Sequence, residues 1–450
     1  MKNSITKRVI IISIWIAIWA ILSRLINNSI VLTGPVGVMK SLVENMFTRD
    51  FFVICINSSL KIISGFLVSL LAGMILGSIG SRSDNFRDFL SPAVNVIKVV
   101  PVASFVVLLL IWAGADALSF YISLLIVFPH IYIATISGIQ SADKRILSMA
   151  EDYQYSMKNK IIYIYKDSTL PYIISAVRVS FGMAWKSGVA AEVIGMASHT
   201  LGERIYMSKI YLDTSGLFSW TIVVVILSYI FERICLWALC SVLEYKPAPK
   251  RIRHRSNFSE ALFRDIIIDN INAGYGDEIV LKNISISLHK NTVYLLTGES
   301  GIGKTTLLNE IAKRMDCKAS WVYQELRLLD KYSVITNVML SAPNMAESEC
   351  IEVCSTLLPK EALNKKVSEL SGGMKQRVAL IKALMYDGEI LLLDEPFSGL
   401  DDDNRKKSIQ FIEKYRNKRT VILVSHDDRD EMLIDAKKIV LDEKGLHQSL

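Results

Sequence analysis

The chain has 450 residues, 51% of them hydrophobic and 21% charged, with a mean hydropathy of +0.34 and a formal net charge of +7. That length leaves room for two or three domains, and the basic residues cluster beside apolar runs, as membrane topology requires. The positive charge therefore belongs to a membrane and argues against nucleic acid as a partner. The six cysteines, Cys55, Cys235, Cys240, Cys317, Cys350 and Cys354, show no metal-ligand or disulfide spacing. Cys350 and Cys354 are one helical turn apart and are expected to share a helix face, and a reducing compartment suits the soluble half.

In chain order, the first predicted element is an apolar helix in "MKNSITKRVIIISIWIAIWAILSRLI". Its run is long for a signal peptide and no small-x-small cleavage site follows, so a retained membrane helix is expected. Candidate spans follow at about 9–26, 59–80, 93–113, 118–139, 174–196 and 217–240, six in all, each near the length a bilayer needs. Basic residues precede the first span and follow the second (Arg82, Arg87), the fourth (Lys144, Arg145, Lys158) and the sixth. All of these fall on the cytoplasmic side if the N-terminus is cytoplasmic. An even count places the soluble half there too.

Between spans four and five, 142–171 is long and polar for a connection and is predicted to be a helical cytoplasmic excursion ending at Pro171. Charges inside spans call for partners or water. Arg24 can snorkel at the end of span one. Lys186 falls near the middle of span five, where it either lines a water-filled path and meets an anionic group or pairs with an acidic neighbour. Glu192 is expected to be structural.

"EYKPAPKRIRHRSNFSE" marks the change from apolar to soluble character, with Lys246, Lys250, Arg251, Arg253 and Arg255 spaced by two prolines. The expected layout is a transmembrane domain over 1–243, a basic linker over 244–261 and a soluble α/β domain over 262–450. The linker acts as a positive-inside anchor and spacer, and its arginines can touch anionic membrane lipid.

"VYLLTGESGIGKTTLLNEI" places an apolar strand, a glycine-rich turn and an amphipathic helix in succession. Gly298, Gly301, Gly303, Lys304 and Thr305 match a phosphate-binding loop, whose inward N–H groups and helix N-terminus attract phosphate oxygens. Lys304 would reach the β- and γ-phosphates of ATP, and Thr305 would hold Mg²⁺. "EILLLDEP" is a strand buried on both faces that delivers Asp394 to the Mg²⁺ shell and Glu395 to polarise the attacking water. "TVILVSHDD" repeats the design and ends in His426, a γ-phosphate contact. In "LSGGMKQRVALIKALM", Ser371, Gly372 and Gly373 precede a long helical pattern and form a second anion-binding helix end. Two such ends in one chain make sense if the second faces nucleotide held by another copy.

With these motifs in this order, 262–450 resembles the ATPase domain of ABC transporters. The resemblance implies that Gln324, in "WVYQE", serves the catalytic water and the metal. It further implies that Thr306 and Asp401, in "SGLD", contact nucleotide, and that Tyr275 stacks on adenine. The short interval between Lys304 and Gln324 implies a trimmed β-subdomain. The membrane half, over about 50–240, resembles the permeases of binding-protein-dependent type I importers, especially the sulfonate, taurine and nitrate branch. "LPYIISAVRVSFGMAWKSGVAAEVIG" carries that likeness. Anchored on Leu170 and Pro171, the family's E-A-A…G motif falls on Ser148, Met149, Ala150 and Gln154, where only Ala150 matches.

The expected architecture is therefore a six-span α-helical transmembrane bundle followed by a P-loop NTPase domain. The resemblance implies a half-transporter in a bacterial inner membrane that works as a homodimer. It hydrolyses ATP on the cytoplasmic side and takes up a small anionic or heteroaromatic solute from a separate extracytoplasmic binding protein. Two alternatives stay open: a half-size exporter, which shares the domain order but needs two long helical extensions, and an ABC ATPase that remodels a membrane complex without transport.

Overall fold

Long apolar runs with few breakers dictate helices throughout the first half, and short apolar runs between polar turns dictate strands in the second. The computed structural model describes residues 2–243, 265–275, 278–315, 318–427, 429–430, 435–442 and 445–448. The expected basic linker, 244–261, lies outside the described residues. The chain divides into two compact units: Met1–Ser141 with Tyr165–Tyr245, and Ala142–Ile164 with Lys246–Leu450.

Helices α1 (Lys2–Ile26), α2 (Pro35–Met46), α3 (Phe51–Gly80), α4 (Asp84–Val99), α5 (Val102–Ala113) and α6 (Leu118–Gln140) open the first unit. Next in sequence come α7 (Lys144–Asp152) and α8 (Met157–Lys160), which belong to the second unit, and a π-helical turn at Ile161–Tyr165. The first unit then resumes with α9 (Lys166–Gly195), α10 (Leu201–Ile210) and α11 (Thr214–Leu243).

The centre of the first unit is the α3–α6–α9 packing. Glycines of α3 face α6, and a Cβ at Gly65 would stand 2.3 Å from Phe120 O, while one at Gly77 would stand 2.7 Å from Thr135 Cβ. Small residues of this kind let apolar helices approach closely where hydrophobic drive between them is weak. Ser69 Oγ donates to Leu124 O at 3.0 Å across the same seam, and Phe66 meets Phe181 of α9 edge-on at 4.8 Å.

Among the described residues, four helices are long and apolar enough to cross a bilayer: Val9–Ile26, Phe51–Gly80, Ala115–Gln140 and Thr214–Ser241. They coincide with the first, second, fourth and sixth expected spans. The third, at 93–113, falls on a bent pair of helices and not on one straight helix. α4 and α5 meet at 105° across Val100 and Pro101, as a broken span or a re-entrant pair. Pro101 drives the residue before it out of the helical region, and Val100 is extended at ψ 129. The fifth lies in α9, whose 30 residues suffice in length, but Arg178, Lys186 and Glu192 leave it too polar to qualify by composition. Pro171 is also corrected: it lies inside α9 and does not end a helix.

In the second unit, β1 (Ile266–Tyr275) and β2 (Glu278–Leu288) form an antiparallel pair. A six-stranded sheet has the order β4 (Ala319–Val322), β5 (Ile390–Asp394), β6 (Thr420–Val424), β3 (Val293–Thr297), β7 (Lys437–Asp442), β8 (Gly445–Gln448). The β4–β5, β5–β6, β6–β3 and β3–β7 pairs are parallel, and β8 is antiparallel. Both β5 and β6 are buried at every position, as strands covered on two faces must be. Helices α12 (Lys304–Arg314), α13 (Val334–Ser341), α14 (Glu347–Ser355), α15 (Gly372–Met385) and α16 (Asp402–Tyr415) also belong to this unit. Cys350 and Cys354 share the inner face of α14, with sulfurs 3.9 Å apart.

Residues 142–164 fold into this second unit. Asp143 caps α7 by accepting from Arg145 N, and Met149 and Ala150 are fully buried. Tyr153 Oη donates to Trp321 O at 2.7 Å, Tyr386 Oη to Asp152 O at 3.2 Å, and Tyr332 Oη to Ile162 O at 3.2 Å. Lys382 of α15 is 2% exposed. Its Nζ stands 2.9 Å from Met149 Sδ and 4.5 Å from the Tyr153 ring, and burial pushes its pKa down to about 7. Gln154 takes a left-handed φ of 49, at the position where the importer motif carries glycine.

Candidate active site

After Thr297 the chain turns into α12 through a loop whose shape requires glycine. Gly301 and Gly303 have φ values of 84 and 106, which side-chain-bearing residues rarely adopt. A Cβ at Gly298 would stand 2.4 Å from Leu441 O. The Lys304 side chain folds back over this loop, donating to Gly298 O at 2.9 Å and Glu299 O at 2.6 Å. Burial lowers its pKa, while Asp394 and Glu395 oppose that shift. Thr306, the next residue but one, is buried.

Thr305 Oγ1 donates to Asp394 Oδ2 at 2.6 Å. Asp394 closes β5 with 2% of its surface exposed, and burial raises its pKa above the ordinary carboxylate value against the Thr305 hydrogen bond. An oxygen-only pair of half-buried hydroxyl and buried carboxylate beside a phosphate loop is a donor set that suits Mg²⁺.

Glu395 is held by its backbone. It takes a left-handed φ of 50, its N–H donates to Val424 O at 3.0 Å, and its carbonyl accepts from Gln376 Nε2 at 2.9 Å. Gln324 Nε2 donates to its Oε1 at 3.4 Å, and His426 Nε2 stands 3.7 Å from the same oxygen. The sheet order explains the convergence. Parallel β5, β6 and β3 are consecutive neighbours, so the loops bearing Glu395, His426 and Lys304 emerge at one edge, where ligands bind in open α/β sheets.

Ser371, Gly372 and Gly373 stand outside this hydrogen-bonded cluster. Ser371 caps α15 by accepting from Met374 N at 3.4 Å, and Ser371 and Gly372 are exposed. Asp401 caps α16, accepting from Asn404 N at 2.8 Å, and these hydrogen bonds hold its pKa low. Tyr275 ends β1, and its side chain lies outside the described residues.

Sequence reasoning missed two supports. Gln376 sits within the quoted signature stretch, yet nothing local shows that it braces Glu395. Arg405 of α16 is 5% exposed and binds Asp430 Oδ1 at 2.6 Å and Asp427 Oδ2 at 2.8 Å. Asp430 also accepts from Ser425 Oγ, so the loop carrying His426 is tied down on both sides. A cavity of 710 Å³ opens beside it, lined by Glu395, Ser398, Gly399, His426, Asp427 and Arg429 among others.

Residues 281–398 match the family described as ABC transporter. Residues 65–238 match the family described as binding-protein-dependent transport system inner membrane component. The chain is 35% identical over 191 residues to the aliphatic sulfonates import ATP-binding protein SsuB 1 of Shouchella clausii, covering 40% of this chain and 77% of that protein. It is 32% identical over 201 residues to the SsuB protein of Burkholderia pseudomallei, covering 39% of this chain and 62% of that protein. A solved ATP-binding cassette, a dimer in a post-hydrolysis state bound to ADP and Pi, is 24% identical with a TM-score of 0.37, covering 41% of this chain and 97% of that one.

Proposed function

Because this chain belongs to the ABC transporter family, a permease of the binding-protein-dependent class joined to its ATPase, we propose that it is an ATP-driven importer subunit. It acts as a homodimer in a bacterial inner membrane and takes a small anionic solute from a separate extracytoplasmic binding protein. The import of aliphatic sulfonates named for the relatives supports that direction and solute class.

The observation that carries the ATPase reading is the convergence of Thr305, Asp394, Glu395, Gln324 and His426 at the mouth of the phosphate loop. Gly298, Gly301, Gly303 and Thr306 shape and line the loop, its N–H groups cradle the phosphates, and Lys304 swings from the loop carbonyls to the β- and γ-phosphates. Thr305, Asp394 and Gln324 would hold Mg²⁺, which would supply positive charge against that of the bound phosphates. Glu395 accepts a proton from the attacking water as the water oxygen bonds to the γ-phosphorus. The bond from that phosphorus to the β–γ bridging oxygen breaks, ADP leaves with that oxygen, and His426 orients the γ-phosphate. Tyr275 stacks on adenine. Ser371, Gly372 and Gly373 complete the site from the partner copy, consistent with their standing apart from the cluster in their own chain, and Asp401 contacts nucleotide.

The test uses the full chain in proteoliposomes. ATP turnover rises when a cognate binding protein and its ligand are supplied on the outer side, and labelled ligand accumulates on the side to which that protein delivers it. Stimulation by a membrane amphiphile without any binding protein would overturn import in favour of export.

A further inference from the structure

One face of α9 packs inward: Val177, Phe181, Ala184 and Trp185 are each at most 2% exposed. Its other face carries Arg178, Val179, Gly182, Met183, Lys186 and Ala190, all exposed on the chain. This face is unlike the outer face of α3, where Leu60, Leu67, Leu71 and Ile75 present the large apolar side chains that lipid accepts. Arg178 and Lys186 are two turns apart, about 12 Å along the axis. Between them Gly182 leaves open space, with no atom within 4 Å of where its Cβ would stand.

The neighbouring charges are engaged elsewhere. Glu192 of the same helix is turned inward, accepting from Ser58 Oγ at 2.8 Å and Gly202 N at 3.1 Å. Lys61 pairs with Asp116 at 3.6 Å. Arg178 and Lys186 have no ion-pair partner among the described residues. Cations on an apolar bundle are costly against hydrocarbon, and they mark solute paths where they face water.

We propose that the Arg178–Gly182–Lys186 face of α9 lines a water-filled path and binds a small organic anion of the sulfonate or carboxylate class. This rests on reading the chain as a transporter, and the same face of the second copy supplies the opposite wall. Arg178 offers a planar fork to the anionic oxygens, and Lys186 offers a point charge one step along the path. Gly182 leaves the width between them for the solute body.

The experiment measures thiol modification in proteoliposomes of the full chain, with the native cysteines replaced and ATP turnover checked on each preparation. Gly182→Cys is compared with Leu67→Cys, using sulfonatoethyl and trimethylammonioethyl methanethiosulfonate, each rate normalised to that reagent's rate with a free thiol. The expected result is labelling of Gly182→Cys but not Leu67→Cys, with the anionic reagent favoured about tenfold. That preference disappears in the Arg178→Gln, Lys186→Gln background. Ala190→Cys, on the same face, serves if Gly182→Cys does not fold. Labelling no faster than at Leu67→Cys, or a preference unchanged by the two neutralisations, overturns the proposal. Intact ATP turnover beside that result sinks this site alone, whereas a parent chain without turnover sinks the transporter reading.

Discussion

The Lys382 ammonium lies against the Met149 sulfur at 2.9 Å and over the Tyr153 ring at 4.5 Å, so a cation of α15 is enclosed by side chains from the 142–164 excursion. The rings attract the charge, but burial dominates and brings the group down to about 7 from 10.5. The unfolded chain therefore holds this proton more tightly between those values, and the unit gains stability as pH rises from about 7 towards 10.5. Below about pH 7 both states are protonated and the group contributes no slope. Lys382→Met removes the buried ionisable group and is expected to flatten the rise in thermal midpoint between about pH 7 and 10.5. An unchanged slope in the variant would refute the assignment.

Gln154 occupies a left-handed conformation, which costs a side-chain-bearing residue about 1–2 kcal/mol. Glycine there removes the strain and adds roughly 0.5–1 kcal/mol of unfolded-state entropy. Gln154→Gly is predicted to be neutral or to stabilise by up to about 1 kcal/mol, read as a denaturation midpoint. A clear loss of stability would show that the Gln154 side chain contributes what the backbone does not reveal.

Glu395→Gln keeps the size and the backbone contacts of the residue but removes the carboxylate proposed as the base. Turnover should fall about 10²–10⁴-fold, with nucleotide binding retained by the phosphate loop, as measured by labelled-nucleotide filtration. Near-normal hydrolysis would reassign the base.

Ser371→Arg makes a separate point, because Ser371 lies outside the cluster built by its own chain. Nucleotide binding should persist in this variant while turnover falls by at least the factor of about 10² lost with one phosphate-site donor. Full turnover would mean that one copy suffices.

Gly202→Ala tests the corner between α9 and α10. The added Cβ would stand 2.2 Å from Glu192 Cβ and 2.6 Å from its carbonyl carbon, and it would disturb the Gly202 N donation to Glu192. Overpacking of this kind costs about 1–3 kcal/mol. The expected readout is a lower thermal midpoint of the full chain in detergent, and an unchanged midpoint would show that the corner yields.

The phosphate loop, Asp394, Glu395 and His426 were legible because their chemistry is local. Glycine backbones, a buried strand and the residues at its end are contiguous in sequence, and parallel strands do the gathering. Gln376 and Arg405 were not legible, because their work is done on Glu395 and on the loop of His426, residues far away in sequence. In the membrane half, apolar length found α1, α3, α6 and α11. It also placed runs at α4–α5 and α9, but it did not show the bend at Pro101, where one backbone restriction divides the run, or the polar face of α9.

The fold of the excursion also sets an order of events during synthesis. Tyr153, Tyr155 and Met149 leave the ribosome roughly 230 residues before Tyr386, an interval of about 10–50 s at ordinary elongation rates. Throughout that time the aromatic side chains destined for burial against Trp321 and Lys382 have no groove to enter. A nascent chain of this design is exposed to sticking and misassembly at its own midpoint, so slower translation beyond residue 164 should lower its yield more than slower translation before it.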